Sequence, residues 1–278
     1  MRTYSVGISI ILASLLASGL LFGQSDQTVV TTEKSRHSFG VSLGINDFHI
    51  KDEYLSPFVF SGLTFASRAS YQLQLVKNRH ALDILLSTGK IDSDLQPRNV
   101  TQYIGYLSYS FTREVDQWQF AAHPLLLSLG GGLSAFASNT DFIAEDKIWN
   151  YKFTDESWYW YHAVNIHARF GFQFSEHRNL SIQLTSPFAR LVTRPKNGHY
   201  FNSENAEVTY SFWNAATNGN LEFLWDDLVL INEIEYRQGL GNRLDVRVTY
   251  WFGYASSDTP LSLGMYMNHF LAGVLWHF

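Results

Sequence analysis

The sequence predicts an all-β chain closed into an antiparallel transmembrane β-barrel of about ten strands, with eight to twelve compatible with its pattern. Three observations carry that expectation. Apolar and polar residues alternate with period two from His37 to the last residue, Phe278. The connections between alternating segments are short and long in turn. Charged residues are only 16% of the chain, against roughly 25% in soluble proteins.

Composition narrows the classes further. Hydrophobic residues make up 46%, yet mean hydropathy is −0.10, so membrane-spanning helices of roughly 18 or more apolar residues are not available to the chain's body. The net charge of −5, with no basic run, argues against a nucleic-acid partner. Cysteine is absent, which excludes disulfides, zinc–thiolate sites and a cysteine nucleophile. Aromatic residues reach 16%, as in thin-walled β proteins that place rings at membrane interfaces.

Arg2 followed by the uncharged run Val6 to Phe22 reads as a signal peptide over residues 1–23, cleaved near Gly23. Residues 24–35 are then a short periplasmic segment and 36–278 the barrel.

The strands follow in order. His37 to Asn46 sets Phe39, Val41, Leu43 and Ile45 against Ser38, Gly40, Ser42 and Gly44. Phe58 to Lys77 opposes Leu63, Phe65, Ala69 and Tyr71 to Thr64, Arg68, Ser70 and Gln72. His80 to Gly89 opposes Leu82, Ile84 and Leu86 to Asp83 and Ser87, and Asn99 to Thr112 opposes Tyr103, Leu107 and Tyr109 to Gln102, Tyr106 and Ser108. Trp118 to Ser138 is looser and contains Gly130-Gly131-Gly132, which fits a bulge or close packing within a strand better than a phosphate-binding loop. In Trp158 to Phe174, Val164, Ile166, Ala168 and Phe170 share a face opposite Tyr159, Tyr161, Asn165 and His167. Leu180 to Leu191, Leu221 to Gln238, Arg243 to Ser256 and Leu261 to Phe278 complete the set.

Short links fall at Asn78-Arg79, Glu114 to Gln117, Glu176 to Arg178 and Gly239 to Asn242. Longer ones fall at Asp47 to Pro57, Asp92 to Arg98, Asn139 to Ser157, Thr193 to Asn218 and Ser257 to Pro260. Short periplasmic turns alternating with longer outer loops are the transmembrane-barrel arrangement, and they put both chain ends in the periplasm. A weak alternation over Val208 to Phe212 leaves room for one more hairpin.

Phe278 ends the chain, and Trp276, Val274, Ala272 and Phe270 recede from it at every second position. This resembles the terminal strand of bacterial outer-membrane β-barrel proteins. The resemblance implies an outer-membrane location in a Gram-negative cell and recognition of Phe270, Val274, Trp276 and Phe278 by the barrel-assembly machinery. It also implies contact with outer-membrane lipid and lipopolysaccharide. Gln24, after the presumed cleavage site, is similar to signal peptides of the Bacteroidota.

Phasing points eight charges inward: Arg68, Asp83, Arg169, Glu233, Glu235, Arg237, Asp245 and Arg247. Glu233 and Glu235 lie across the Gly239 to Asn242 turn from Arg247 and Asp245, so cross-strand pairs are expected to fill a narrow lumen. The outer-loop residues Trp149, Tyr151, His199, Tyr200 and Trp213 are candidates for contact with a sugar or a protein partner.

Catalytic, metal and cofactor sites are not assigned. Ten histidines are present, but His162 and His167 face opposite sides of a strand, and His269 and His277 lie about 26 Å apart along one. Asp47, His49 and His199 suit the rim of a protease-type barrel, although no motif surrounds them. The expected role is therefore a non-enzymatic barrel with a structural, assembly or partner-binding task. A small-solute pore and a surface hydrolase acting on peptide or lipid are the alternatives.

Overall fold

A strand whose odd side chains are apolar and whose even ones are small or polar has two incompatible faces, and the chain resolves this by closing on itself. The structure is a computed structural model. It describes residues 36–53, 56–93, 99–120, 123–146, 151–175, 177–194, 219–258 and 262–278, with the backbone alone at 99, 142–146 and 151–156. The expected signal peptide and residues 24–35 lie outside the described residues.

The strands are β1 (Arg36–Asp52), β2 (Val59–Gln74), β3 (Asn78–Ile91), β4 (Asn99–Phe120), β5 (His123–Asp146), β6 (Tyr151–Ser175), β7 (Arg178–Thr193), β8 (Asn220–Phe223), β9 (Val229–Gly239), β10 (Leu244–Ser257) and β11 (Leu263–His277). Each pairs antiparallel with its neighbours, β11 pairs with β1, and β6 with β7. The ring is closed. It has ten staves, because β8 and β9 share one place beside β7: β8 faces Ala189–Val192 and β9 faces Arg178–Thr185.

The sequence pattern suggests one strand over Leu221 to Gln238, and the interruption has a visible cause. Pro187 has no amide hydrogen to give the ladder, and β7 shifts register between Asn165 and Val164 at that point. Opposite the break, residues 224–227 form a turn, held by Phe223 N–H donating to Asp226 Oδ2 at 2.7 Å and Leu224 N–H donating to Phe188 O at 3.1 Å. The Phe223 and Trp225 rings stack there at 5.1 Å.

Three connections differ from expectation. The polar run Glu114 to Gln117 is not a turn: β4 continues through it to Phe120, absorbing one extra residue in a bulge between Glu114 and Asp116. Charges are tolerated in a strand that has left the apolar band. Asn139 to Ser157 is mostly hairpin rather than loop, with β5 and β6 paired out to Asp146 and Tyr151. β1 likewise runs on to Asp52. The extra hairpin considered over Val208 to Phe212 lies outside the described residues.

The outer wall is apolar around the ring. Leu43 is 55% exposed and Leu86 54%, with Phe39, Phe65, Leu107, Leu133, Val164, Val248 and Phe270 exposed beside them. Ser42, Asn46, Thr64, Gln102, Asn165 and Thr249 are buried on the opposite face. Gly44 marks how tightly the wall is coiled: a Cβ there would sit 1.9 Å from the Phe270 carbonyl oxygen of the neighbouring strand. Gly130, within the Gly130-Gly131-Gly132 run of β5, makes the same approach to the Phe111 carbonyl oxygen.

Candidate functional site

Among the described residues, charged groups from many strands converge in the interior. It is layered along the barrel axis, counted from the end that carries Arg36 and Phe278.

At the terminal end, β10 and β11 bring Asp245 and His277 together, with Asp245 Oδ2 2.7 Å from His277 Nε2 and Ser38 Oγ 2.8 Å from His277 Nδ1. Next comes an arginine–carboxylate layer. Arg68 donates to Asp83 Oδ1 from Nε at 2.9 Å and from Nη2 at 2.7 Å, and Nη2 also lies 3.0 Å from Glu233. Arg237 donates to Glu235 Oε1 at 2.6 Å and to Gln72 Oε1 at 2.9 Å. Arg247 is fully buried and donates to the hydroxyls of Ser42 and Ser70, each at 2.7 Å, with Glu235 at 3.8 Å.

All eight lumen charges expected from strand phasing therefore point inward or line the inner rim. The partner of Glu233 is corrected: it binds Arg68 across the lumen, not Arg247 across the turn. Arg247 stands opposite Arg237 in the β9–β10 register, and Trp251 stands opposite Glu233. Asp245 pairs with His277 instead. Arg169 faces the interior but makes none of these pairs. Arg79, expected in a short link, is the second residue of β3 with its side chain buried in the lumen, where Nη1 donates to Gln183 Oε1 at 3.4 Å. Its even spacing from Ala81 and Asp83 is the signal that identifies it.

Above the charged layer the inner face changes character, which the alternation alone does not reveal. Phe48, Ile50, Phe136, Tyr159, Met265 and Met267 point inward and are buried. Phe136 stacks on Tyr161 at 5.2 Å, and Trp251 meets Tyr106 at 5.6 Å and His269 at 4.9 Å. Between the two layers, a cavity lined by Arg68, Asp83, Tyr106, Glu233 and Trp251 holds about 20 Å³, room for little more than one water. A further set of ion pairs lies toward the far end. Arg190 binds Glu222 at 2.9 Å, and Arg194 binds Asp52 at 3.1 Å.

Other candidates separate clearly. Asp47 and His49 face outward on β1, with His49 Nε2 2.9 Å from Asp47 Oδ1 and its ring stacked 4.3 Å from Tyr266. Ser61 of β2 stands directly opposite His49. Because Ser61 gives its backbone N–H and C=O to Asp92, the His49–Ser61 pair is of the non-hydrogen-bonded kind, in which side chains approach more closely. Trp149, His199, Tyr200 and Trp213 lie outside the described residues, and Tyr151 is described in its backbone alone. Phe270, Val274, Trp276 and Phe278 form an exposed outward row on the last strand, and Phe278 stacks on His37 at 5.8 Å. Among the described residues no group of three or more His, Asp or Glu side chains is placed to hold a metal ion.

A closed antiparallel ring with an apolar outer wall and a polar, ion-paired interior defines the class: the chain has the fold of bacterial outer-membrane β-barrels. The outer membrane protease OmpT from Escherichia coli aligns over 92% of this chain and 100% of its own, at 7% identity and a TM-score of 0.50. Neisserial surface protein A covers 88% of this chain and 100% of its own at 12% identity, with a TM-score of 0.34. Ail, the attachment invasion locus protein of Yersinia pestis, covers 87% and 99% at 8% identity, with a TM-score of 0.34. No protein-family model and no curated protein sequence matches the chain.

Proposed function

We propose that the protein is a closed-lumen barrel of the Gram-negative outer membrane whose task is structural, assembly-related or partner-binding rather than transport or catalysis. One observation carries this reading: among the described residues, buried side chains of the wall fill the middle of the lumen. The Arg68–Asp83–Glu233 bridge spans it, and the apolar layer from Phe48 to Trp251 lies directly above. A pathway for solutes would need that layer to separate. The test is conductance of the refolded mature chain in planar bilayers. No discrete current steps are expected; reproducible single-channel steps would replace this reading with that of a small-solute pore.

A second reading, a surface hydrolase acting on lipid esters, is favoured by the outward group Ser61, His49 and Asp47. In this reading Ser61 Oγ would attack an ester carbonyl while His49 takes its proton, then returns it to the leaving alcohol as Asp47 holds the ring. Water would release the acyl group from Ser61. The face that carries these residues is the one turned toward lipid. Covalent labelling by a fluorophosphonate in detergent, lost in Ser61→Ala and in His49→Ala, is the expected result if this group works. An unlabelled wild-type protein removes the reading.

A further inference from the structure

The charged layer is unbalanced. Five guanidinium groups, those of Arg68, Arg79, Arg169, Arg237 and Arg247, share it with three carboxylates, those of Asp83, Glu233 and Glu235. The carboxylates are all engaged: Asp83 and Glu233 by Arg68, Glu235 by Arg237 and Arg247. Asp245 is engaged at the rim by His277. Among the described residues neither Arg79 nor Arg169 has a carboxylate at ion-pair distance.

These two arginines come from strands three places apart around the ring, and both stand beside one residue of β7. Arg79 of β3 reaches Gln183 at 3.4 Å, and Gln183 stands directly opposite Arg169 in the β6–β7 register. Directly opposed residues hold their Cβ atoms roughly 4.5–5.5 Å apart, so Arg169 springs from the wall beside the residue that Arg79 reaches. The neighbouring inward positions are small and polar, Ser110, Thr112 and Ser181, and all are buried. Arg79 is buried while Arg169 is half-buried, so solvent reaches Arg169 more readily than Arg79. Taking a cation out of water without a partner is costly, and two adjacent ones add mutual repulsion. An anion between them relieves both. Guanidinium forks match tetrahedral oxyanions bidentately, and the Gln183 amide and nearby hydroxyls can add neutral hydrogen bonds.

We infer that Arg79, Arg169 and Gln183 form an oxyanion-binding site of the phosphate type inside the lumen, reached from the terminal end of the barrel. The inference is independent of whether the outer surface binds a partner or cleaves lipid. Either free phosphate or the phosphate of a lipid headgroup has the chemistry to fill it.

The test uses the whole mature chain refolded in detergent micelles, with its thermal midpoint followed in inorganic phosphate and in chloride at matched ionic strength. Phosphate should raise the midpoint of the wild type, because a ligand that binds only the folded state stabilises it. The shift should vanish in Arg79→Gln/Arg169→Gln and persist in Arg178→Gln, which removes an arginine exposed at the rim. Equal midpoints in the two salts, or an undiminished shift in the double variant, would overturn the site. Should the double variant not refold, equilibrium dialysis of radiolabelled phosphate decides between the same alternatives. Saturable binding by the wild type that weakens about tenfold in Arg169→Gln supports the site, and no saturable binding overturns it. Extraction of the protein from native membranes separates the sources. A stoichiometric phospholipid lost in Arg169→Gln assigns the site to a headgroup, and its absence beside phosphate binding assigns it to the free anion.

Discussion

Arg68 is the residue on which the inner network turns, since its one guanidinium holds two carboxylates from opposite walls. Removing it alone leaves Asp83 and Glu233 facing each other without a cation. Arg68→Met is therefore expected to lower stability by about 3–5 kcal/mol in urea unfolding from lipid vesicles. Replacing all three, as Arg68→Met/Asp83→Asn/Glu233→Gln, should recover most of that loss, because the two carboxylates are neutralised together with the cation that held them. A triple variant as unstable as the single one would show that shape, not charge, is what the layer supplies. The inward direction of these residues was legible in the sequence, because it depends only on parity along a strand. Their partners were not. Arg68 meets Glu233 across the lumen, 165 positions away, and that meeting depends on how far the strands are sheared when the ring closes.

The strands themselves were legible wherever both faces have a constant environment. β10 keeps its alternation nearly throughout, as β1 does from Phe39 to Ile45 and β3 from Ala81 to Ser87, and their paired register follows it. Legibility failed where a strand leaves the band: Glu114 to Gln117 looks like a turn and is strand, and Asn139 to Ser157 looks like a loop and is largely hairpin. It failed again at β7, where Pro187 divides the opposite stave into β8 and β9. The β1–β11 seam is held close by Gly44, so Gly44→Val should reduce the folded yield in vesicle refolding. Gly264→Val on the same seam should leave the yield unchanged, since a Cβ there meets nothing within 4 Å. Equal losses from both would mean that the seam tolerates no side chain growth anywhere, and close approach at Gly44 would lose its significance.

At the scale of the whole molecule, the fold turns a simple two-faced repeat inside out relative to a soluble protein. The exposed wall is the apolar one, and the buried interior holds the charges. Leu43 is 55% exposed, a position where a soluble protein would accept arginine at little cost. Here Leu43→Arg should lower stability in vesicles by about 2–4 kcal/mol, the cost of a cation against acyl chains near mid-membrane. Unchanged urea midpoints would place Leu43 in water.

The most direct measurement of that arrangement is a spin-label scan along β1 in lipid vesicles. The chain contains no cysteine, so single cysteines introduced from Phe39 to Ile45 give labels with no background. Collision with molecular oxygen should peak at Phe39, Val41, Leu43 and Ile45 and fall at Gly40, Ser42 and Gly44, a period of two with the apolar residues in lipid. Oxygen accessibility without that period, or preferential contact of the apolar positions with a water-soluble relaxant, would contradict the account.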